Sequence, residues 1–353
     1  MAMSKKRVWF TASLLVVVLL FLAACGKDTQ GNESSTASGE TKSDGYVIVW
    51  SPLYQGNSHQ AQSLANIQEA VKNNPKIKEL IVANPDGNVE TQINLIRNAI
   101  DKKADAIIIQ AVSETALVPV LEEAVEAGVV VINQDSLIKS DKMTSKVYVD
   151  DTEWSRITGE WLVDKLGKKG KVVVLNGLAG NTTNRDRWEN AEKVLKGTEG
   201  IEVLAETNAD WAQAKAQSAV ASWLAAYPQI DGVWSQGGEM TSGAILEFEK
   251  ANRPMVPMVG EAYNGFLKLW AKHKDKGFSS IAPALPNYNV LISLEVALRA
   301  LEGKEVPKNV LVPLPMVTDE TLSNYVQPDK ADDYWVFDKL AAEEIDKIIT
   351  DNK

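Results

Sequence analysis

KVYVDDTEWSRITGEWLVDKLGKKGKVVVLNGLAGNTTNR, residues 146–185, is where the chain stops building one sheet and starts another. The apolar run ends at Asp150–Asp151, and Trp154, Ile157, Trp161, Leu162 and Lys165 follow at helical spacing. Residues 171–175 then read as a new buried strand that opens onto a Gly-rich turn (176–180) and a polar cluster reaching Arg185. Upstream, short Val/Ile runs at 46–51, 77–83, 105–110 and 129–133 alternate with helical patterns at 58–72, 88–102 and 115–127, with Ser58 placed to cap the first helix. Continuous apolar strands alternating with helices predict a parallel sheet covered on both faces.

Downstream the rhythm repeats. Strands are expected at 171–175, 201–205, 231–235 and 256–260, and helices at 184–196, 211–226, 238–251 and 263–274. A strand at 278–282 precedes a helix at 287–302 that passes back to the first half. A strand at 309–314 and a helix at 333–350 finish the chain. The expected fold is α/β: two Rossmann-like lobes with parallel sheets, joined by a hinge of several strands. One lobe takes 46–149 plus about 285–313, and the other 150–284 plus about 314–353.

With 353 residues, 45% of them hydrophobic, the chain can fill two such cores. Lys5, Lys6 and Arg7 precede an apolar run from Val8 to Leu22, which reads as a signal peptide over 1–24. The 37 basic residues less these three leave 34 against 47 acidic, a net charge of −13 with no basic cluster, which argues against nucleic acid. Leu22-Ala23-Ala24-Cys25 resembles the lipobox of bacterial lipoproteins, in which the cysteine is lipidated and becomes the first mature residue. Cys25 is the only cysteine, so no disulfide is expected. Residues 26–45 are Gly/Ser/Thr-rich and read as a flexible tether. The expected location is extracytoplasmic, with the chain held to the membrane by its lipid anchor.

Ligands of open α/β sheets bind at the carboxyl ends of the strands. Those ends carry Tyr54, Gln55 and Asn57, then Gln110, then Asp135. In the second half they carry Arg185, Trp211, Gln236, Gly237 and Glu261. Carboxylates, amides, a guanidinium and aromatic rings together suit a hydroxyl-rich ligand: adjacent hydroxyls donate to a carboxylate, Arg donates a fork, and rings stack on C–H faces. Ser235 stands at a strand-to-helix turn with His273 downstream, as a hydrolase nucleophile would, but Val233 occupies the position where a nucleophile elbow needs glycine. Two histidines, His59 and His273, give no basis for a metal site, and nothing calls for a cofactor.

DAIIIQ ending at Gln110, VVVINQDS around Asp135, YVDD at 148–151, NGLAGNTTNRDR at 176–187, NADW at 208–211 and GVWSQGGEM at 232–240 resemble the periplasmic sugar-binding proteins of ABC importers, in the ribose-binding-like type I group. The resemblance covers essentially 46–315. It implies a sugar ligand held between the lobes, a membrane permease and its ATPase as partners, a monomer, and no enzymatic activity. It also implies ligand contacts at Gln55, Asn57, Gln110, Asp135, Arg185, Trp211, Gly237 and the Glu261–Ala262 turn. The chain departs from the group's pattern in Asp135-Ser136, where an Asp-Arg pair is usual, in Gly237, where Asn is common, and in Glu261-Ala262. These departures put ribose itself in doubt. A role as a ligand-presenting sensor for a membrane receptor uses the same cleft.

Overall fold

The structure, a computed structural model, describes residues 44–352. The expected signal peptide, the lipidation site Cys25 and all of the tether except Asp44 and Gly45 lie outside the described residues. Among the described residues no helix is long and apolar enough to cross a membrane.

The first sheet begins with β1 (Tyr46–Ser51), flanked by β2 (Ile77–Val82) and β3 (Ala106–Ile109), and continues through β4 (Val130–Gln134) and β5 (Ser145–Tyr148). The second begins with β6 (Lys169–Asn176), flanked by β7 (Gly200–Asn208) and β8 (Gly232–Ser235), and continues through β9 (Met258–Val259) and β10 (Ser280–Pro283). The chain then adds one last strand to each: β11 (Asn309–Leu311) beside β5, and β12 (Met316–Thr318) beside β10. The orders β2-β1-β3-β4-β5-β11 and β7-β6-β8-β9-β10-β12 are therefore the same arrangement made twice. All pairings are parallel except that of β12, which runs antiparallel to β10. In each sheet the winding reverses beside the first strand, β1 or β6, and such a reversal opens a crevice at the carboxyl ends.

Helices pack the faces: in the first lobe α1 (Ser58–Lys72), α2 (Val89–Asp101) and α3 (Val118–Glu126), and in the second α4 (Asp151–Lys165), α5 (Thr182–Gly197), α6 (Gln213–Ala226), α7 (Gly238–Lys250) and α8 (Asn264–Lys274). The break at Asp150–Asp151 falls where the sequence placed it: Asp150 caps α4, accepting a bond from the Glu153 N–H. α1 is capped by Asn57, not by Ser58, which is the first helical residue. α9 (Asn289–Leu301) returns to the first lobe, with its buried Val290, Ile292, Leu294, Val296 and Ala297 in the core around Trp50.

Two features at the C-terminus differ from expectation. The helix expected at 333–350 does not start until Ala342: after the short α10 (Leu322–Tyr325), residues Tyr334 to Phe337 are not helical, and α11 spans only Ala342–Asp351. Four consecutive aromatic or β-branched residues are poor helix formers. Here they run across both lobes, Trp335 bridging to Tyr263 and Phe337 touching both cores. This is a further crossing between lobes, so α11 packs on α9 and β11 of the first lobe and not, as expected for 314–353, on the second.

Candidate ligand site

Between the carboxyl ends of the two sheets lies a cavity lined by residues of both lobes, the place where small-molecule sites form in two-lobed α/β folds. Hydrogen bonds between lobes close it on two sides. On one side Tyr54 Oη donates to the Asp210 carbonyl at 3.1 Å, and the Ser58 N–H and hydroxyl donate to Glu239 Oε1 at 3.1 and 2.5 Å. On the other, Asn181 Nδ2 donates to Ser136 Oγ at 2.9 Å and Thr182 Oγ1 to the Leu137 carbonyl at 3.3 Å.

Arg187 is the centre of the site. Its side chain is 2% exposed; Nε donates to Asp151 Oδ1 at 2.8 Å and Nη1 to Glu261 Oε1 at 2.9 Å and to the Gln236 carbonyl at 3.1 Å. The guanidinium lies 4.3 Å from the ring centre of buried Trp154, a cation–π contact in a dry setting. Nη2 has no partner, although Arg187 lines the cavity. Burial depresses the guanidinium pKa, but Glu261 and Asp151 more than offset this and hold the proton on. Burial likewise lifts Asp151 and Glu261 above the usual carboxylate range, against the pull of Arg187.

Arg185, the guanidinium expected in the cleft, is not there. Its side chain is 36% exposed and pairs with Glu114 across the lobes at 2.5 Å and with Asp186 at 2.7 Å. Two residues apart on a helix, at roughly 100° each, only one of the two arginines can face inward. Asn181 sets the register: it caps α5 and puts Arg187 in line with buried Thr183, Ala191 and Leu195. Reading the helix from 184 hides that cap; the spacing of four that puts Arg187 in line with apolar Ala191 and Leu195 is the signal in the sequence. Arg185→Ala should therefore leave ligand affinity within about fivefold of the parent, the scale of an exposed ion pair. Calorimetry with any bound sugar checks this, and a larger loss would return Arg185 to the site.

Asp135 follows β4 with φ 55°, a left-handed conformation that Asp tolerates better than most residues. Its Oδ2 accepts from Gln110 at 2.8 Å and Gln134 at 3.1 Å, and its Oδ1 from Asn289. Burial pushes its carboxyl up to about 7, with Asp151 adding to the rise and the three amides opposing it. His59 Nε2 meets the Leu285 carbonyl at 3.1 Å; a carbonyl only accepts, so Nε2 carries the proton. Burial, helped by Arg187, lowers the His59 pKa to about 4 and keeps the ring neutral.

Trp211 supplies an aromatic wall, and its backbone is strained to do so: Asp210 and Trp211 have φ 52° and 54° in succession. A bulky residue in that region is an outlier of the kind found at binding sites. The ring lies against two glycines. A Cβ on Gly177 would come within 2.2 Å of it, and one on Gly237 within 2.9 Å. Gly237 thus lines the cavity and admits the ring. Trp335 forms another wall, edge-on to His59 with centroids 4.9 Å apart, and donates to Ser58 Oγ at 2.8 Å.

Of the remaining expected residues, Tyr54, Asn57, Gln110 and Glu261 line the cavity and Gln55 and Gln236 do not. Gln55 is exposed. Gln236 holds Asn176 and Asn184 with Nε2, at 3.0 and 3.1 Å, and positions Arg187 through its carbonyl. Asn57 already accepts from the Gln60 N–H and donates to Tyr54. Glu239, in the polar run 236–239 that follows β8, lines the cavity as well, whereas Gln60 and Trp335 are not offered by any strand end. Gln60 is a helical residue with no strand-end signal, and Trp335 arrives from the far end of the chain. Trp188 packs 5.5 Å from Trp234 in the core. Ser235 donates to the Gly237 carbonyl and His273 contacts Glu249; neither lines the cavity. Among the described residues no cluster of His, Cys, Asp or Glu is placed to hold a metal.

Two six-stranded lobes of one topology, enclosing a cavity at their strand ends, define a bilobal solute-binding protein. Residues 48–305 match the periplasmic binding protein domain, and the chain belongs to that family. It is 27% identical over 307 residues to the xylitol-binding protein of Mycolicibacterium smegmatis, covering 86% of this chain and 83% of that one. It is 24% identical over 308 residues to the ribose import binding protein of Bacillus subtilis, covering 87% and 98%. Its fold matches the crystal structure of an ABC transporter solute-binding protein from Thermobispora bispora, with a TM-score of 0.78, 24% identity and coverage of 86% and 95%. The chain is a solute-binding protein and not an enzyme.

Proposed function

We propose that the protein captures a sugar or a related polyol between its lobes, outside the cytoplasm and anchored through Cys25, and delivers it to an ABC permease. The observation that carries this reading is a cavity lined by Arg187, Gln60, Asp135, Glu239 and Glu261 together with Trp211 and Trp335, in which Arg187 Nη2 and Gln60 Oε1 have no hydrogen-bond partner within the protein. A buried donor or acceptor left unpaired costs about 1–3 kcal/mol, so a ligand that satisfies both gains directly. Aromatic walls and carboxylates suit a ring or chain of C–H faces and hydroxyls. The names of the two relatives, xylitol-binding and ribose import binding, point to the same ligand class. Asp135, Gln110, Gln60, Arg187, Glu239 and Glu261 are the polar contacts in this reading.

The test is a thermal-shift screen of the purified protein against pentoses, hexoses, deoxy sugars, pentitols and inositols. A ligand at 100 times its Kd adds about 2.7 kcal/mol of stability, which raises the unfolding midpoint visibly. A shift confined to one class names the ligand. Silence across every sugar and polyol would sink the reading.

A further inference from the structure

The balance of charge in the cavity wall is lopsided. Asp135, Glu239 and Glu261 line it, with Asp151 directly behind, and among the described residues Arg187 is the one lysine or arginine that lines it. Arg187 is already shared between Asp151 and Glu261, so it offsets at most one of their charges and leaves Asp135 and Glu239 with none opposite. Neither His59 nor Arg185 helps: His59 is held neutral, and Arg185 is engaged with Glu114 and Asp186 outside the cavity. Asp135 is held only by amide donors, and Glu239 only by Ser58, whose two bonds both land on Oε1.

Hydrogen-bonding capacity is lopsided in the same direction. Gln60 is more than nine-tenths buried, and its Oε1 is an acceptor with no donor. In Glu261 only Oε1 is engaged, by Arg187 and the Leu285 N–H. The second oxygens of Glu239 and Glu261 remain for a ligand. Against these acceptors stand the unpartnered Arg187 Nη2, the Gln60 Nε2 and the Trp211 Nε1, none of which carries the charge that the carboxylates lack.

Resting on the proposed sugar-binding role, we infer that the natural ligand is a hydroxyl-rich ring or chain bearing a protonated amine, an amino sugar or amino polyol, whose ammonium pairs with a carboxylate of the wall, Asp135 or Glu239. An ammonium brings three donors and the charge that the wall lacks. A neutral sugar meets the acceptors but leaves the carboxylates uncompensated. A uronic acid or sugar phosphate adds an anion to a low-dielectric site that already holds an excess of them.

The experiment is calorimetry at pH 7.5 with matched sets: an aldohexose, its 2-amino-2-deoxy form and its uronic acid, and myo-inositol beside an aminoinositol. At least one amine should bind about tenfold or more tighter than its neutral parent, and the acids should not bind measurably. Glu239→Gln and Asp135→Asn, each checked for an intact fold by circular dichroism, should reduce the amine-to-neutral ratio. Neutral members binding as tightly as every amine, or tighter, would overturn the inference and leave the sugar-binding role standing. So would a ratio unchanged in both variants. No binding by any member would overturn both.

Discussion

Replacing Arg187 by methionine is expected to destabilise the second lobe by about 3–5 kcal/mol at pH 7.5, the usual scale for removing one partner of a buried ion pair. Methionine keeps much of the volume and can still pack on Trp154, so the loss isolates charge. Asp151 and Glu261 would be left facing each other with no cation between them. Burial already holds both above the ordinary carboxylate range, and without Arg187 they rise further. The sign follows. A carboxyl whose folded pKa is raised above its unfolded value destabilises the fold as pH climbs from the unfolded value, near 4, through the folded one. The deficit of Arg187→Met relative to the parent should therefore grow as pH rises from 5 to 7.5. Urea denaturation at the two pH values checks it. An equal deficit at both would mean that packing, and not the paired charge, is what Arg187 contributes. The variant should also fail to bind any ligand of the parent, since Nη2 goes with the guanidinium.

The two-lobe fold was legible because its signal is coarse. Apolar strands such as residues 106–109 and 172–175 cannot be placed except inside a covered parallel sheet, and the change at Asp150–Asp151 combines a strand end with a helix cap. The site was legible only where strand ends alone decide it, as at Gln110, Asp135, Gly237 and Glu261. It failed where a helix register decides: Arg185 and Arg187 differ by about 200° on α5, and a start misread by two residues exchanges them. It failed again for Trp335, whose place in the wall depends on a late crossing between lobes that no local pattern announces. Trp211 stands between these cases. The turn after Asn208 was visible, whereas the strained backbone and the two glycines beneath its ring belong to tertiary structure.

Acidification should draw the ligand-free lobes together, and Asp135 is the group responsible. In the closed form its carboxyl is buried and keeps its proton up to about 7. Opening the cleft lets water reach it. The amides that bond it, from Gln110, Gln134 and Asn289, all belong to the first lobe and travel with it, so in the open form they favour the ionised carboxylate unopposed. The closed form thus binds more protons than the open one. Its advantage is complete below the open-form pKa and disappears as pH rises through about 7; the roughly three units between 7 and the ordinary carboxylate value correspond to about 4 kcal/mol. Glu239 and Glu261, also lifted by burial, act in the same direction. Small-angle scattering of the free protein should give a smaller radius of gyration at pH 5 than at pH 8. Asp135→Asn, permanently neutral, should stay compact at pH 8 and lose most of the pH dependence. Identical scattering at both pH values in the parent, or an undiminished dependence in the variant, would show that closure does not depend on this carboxyl. A protonated amine in the cleft changes the balance: it stabilises the ionised Asp135, so the liganded lobes should remain closed at pH 8, where the empty ones part.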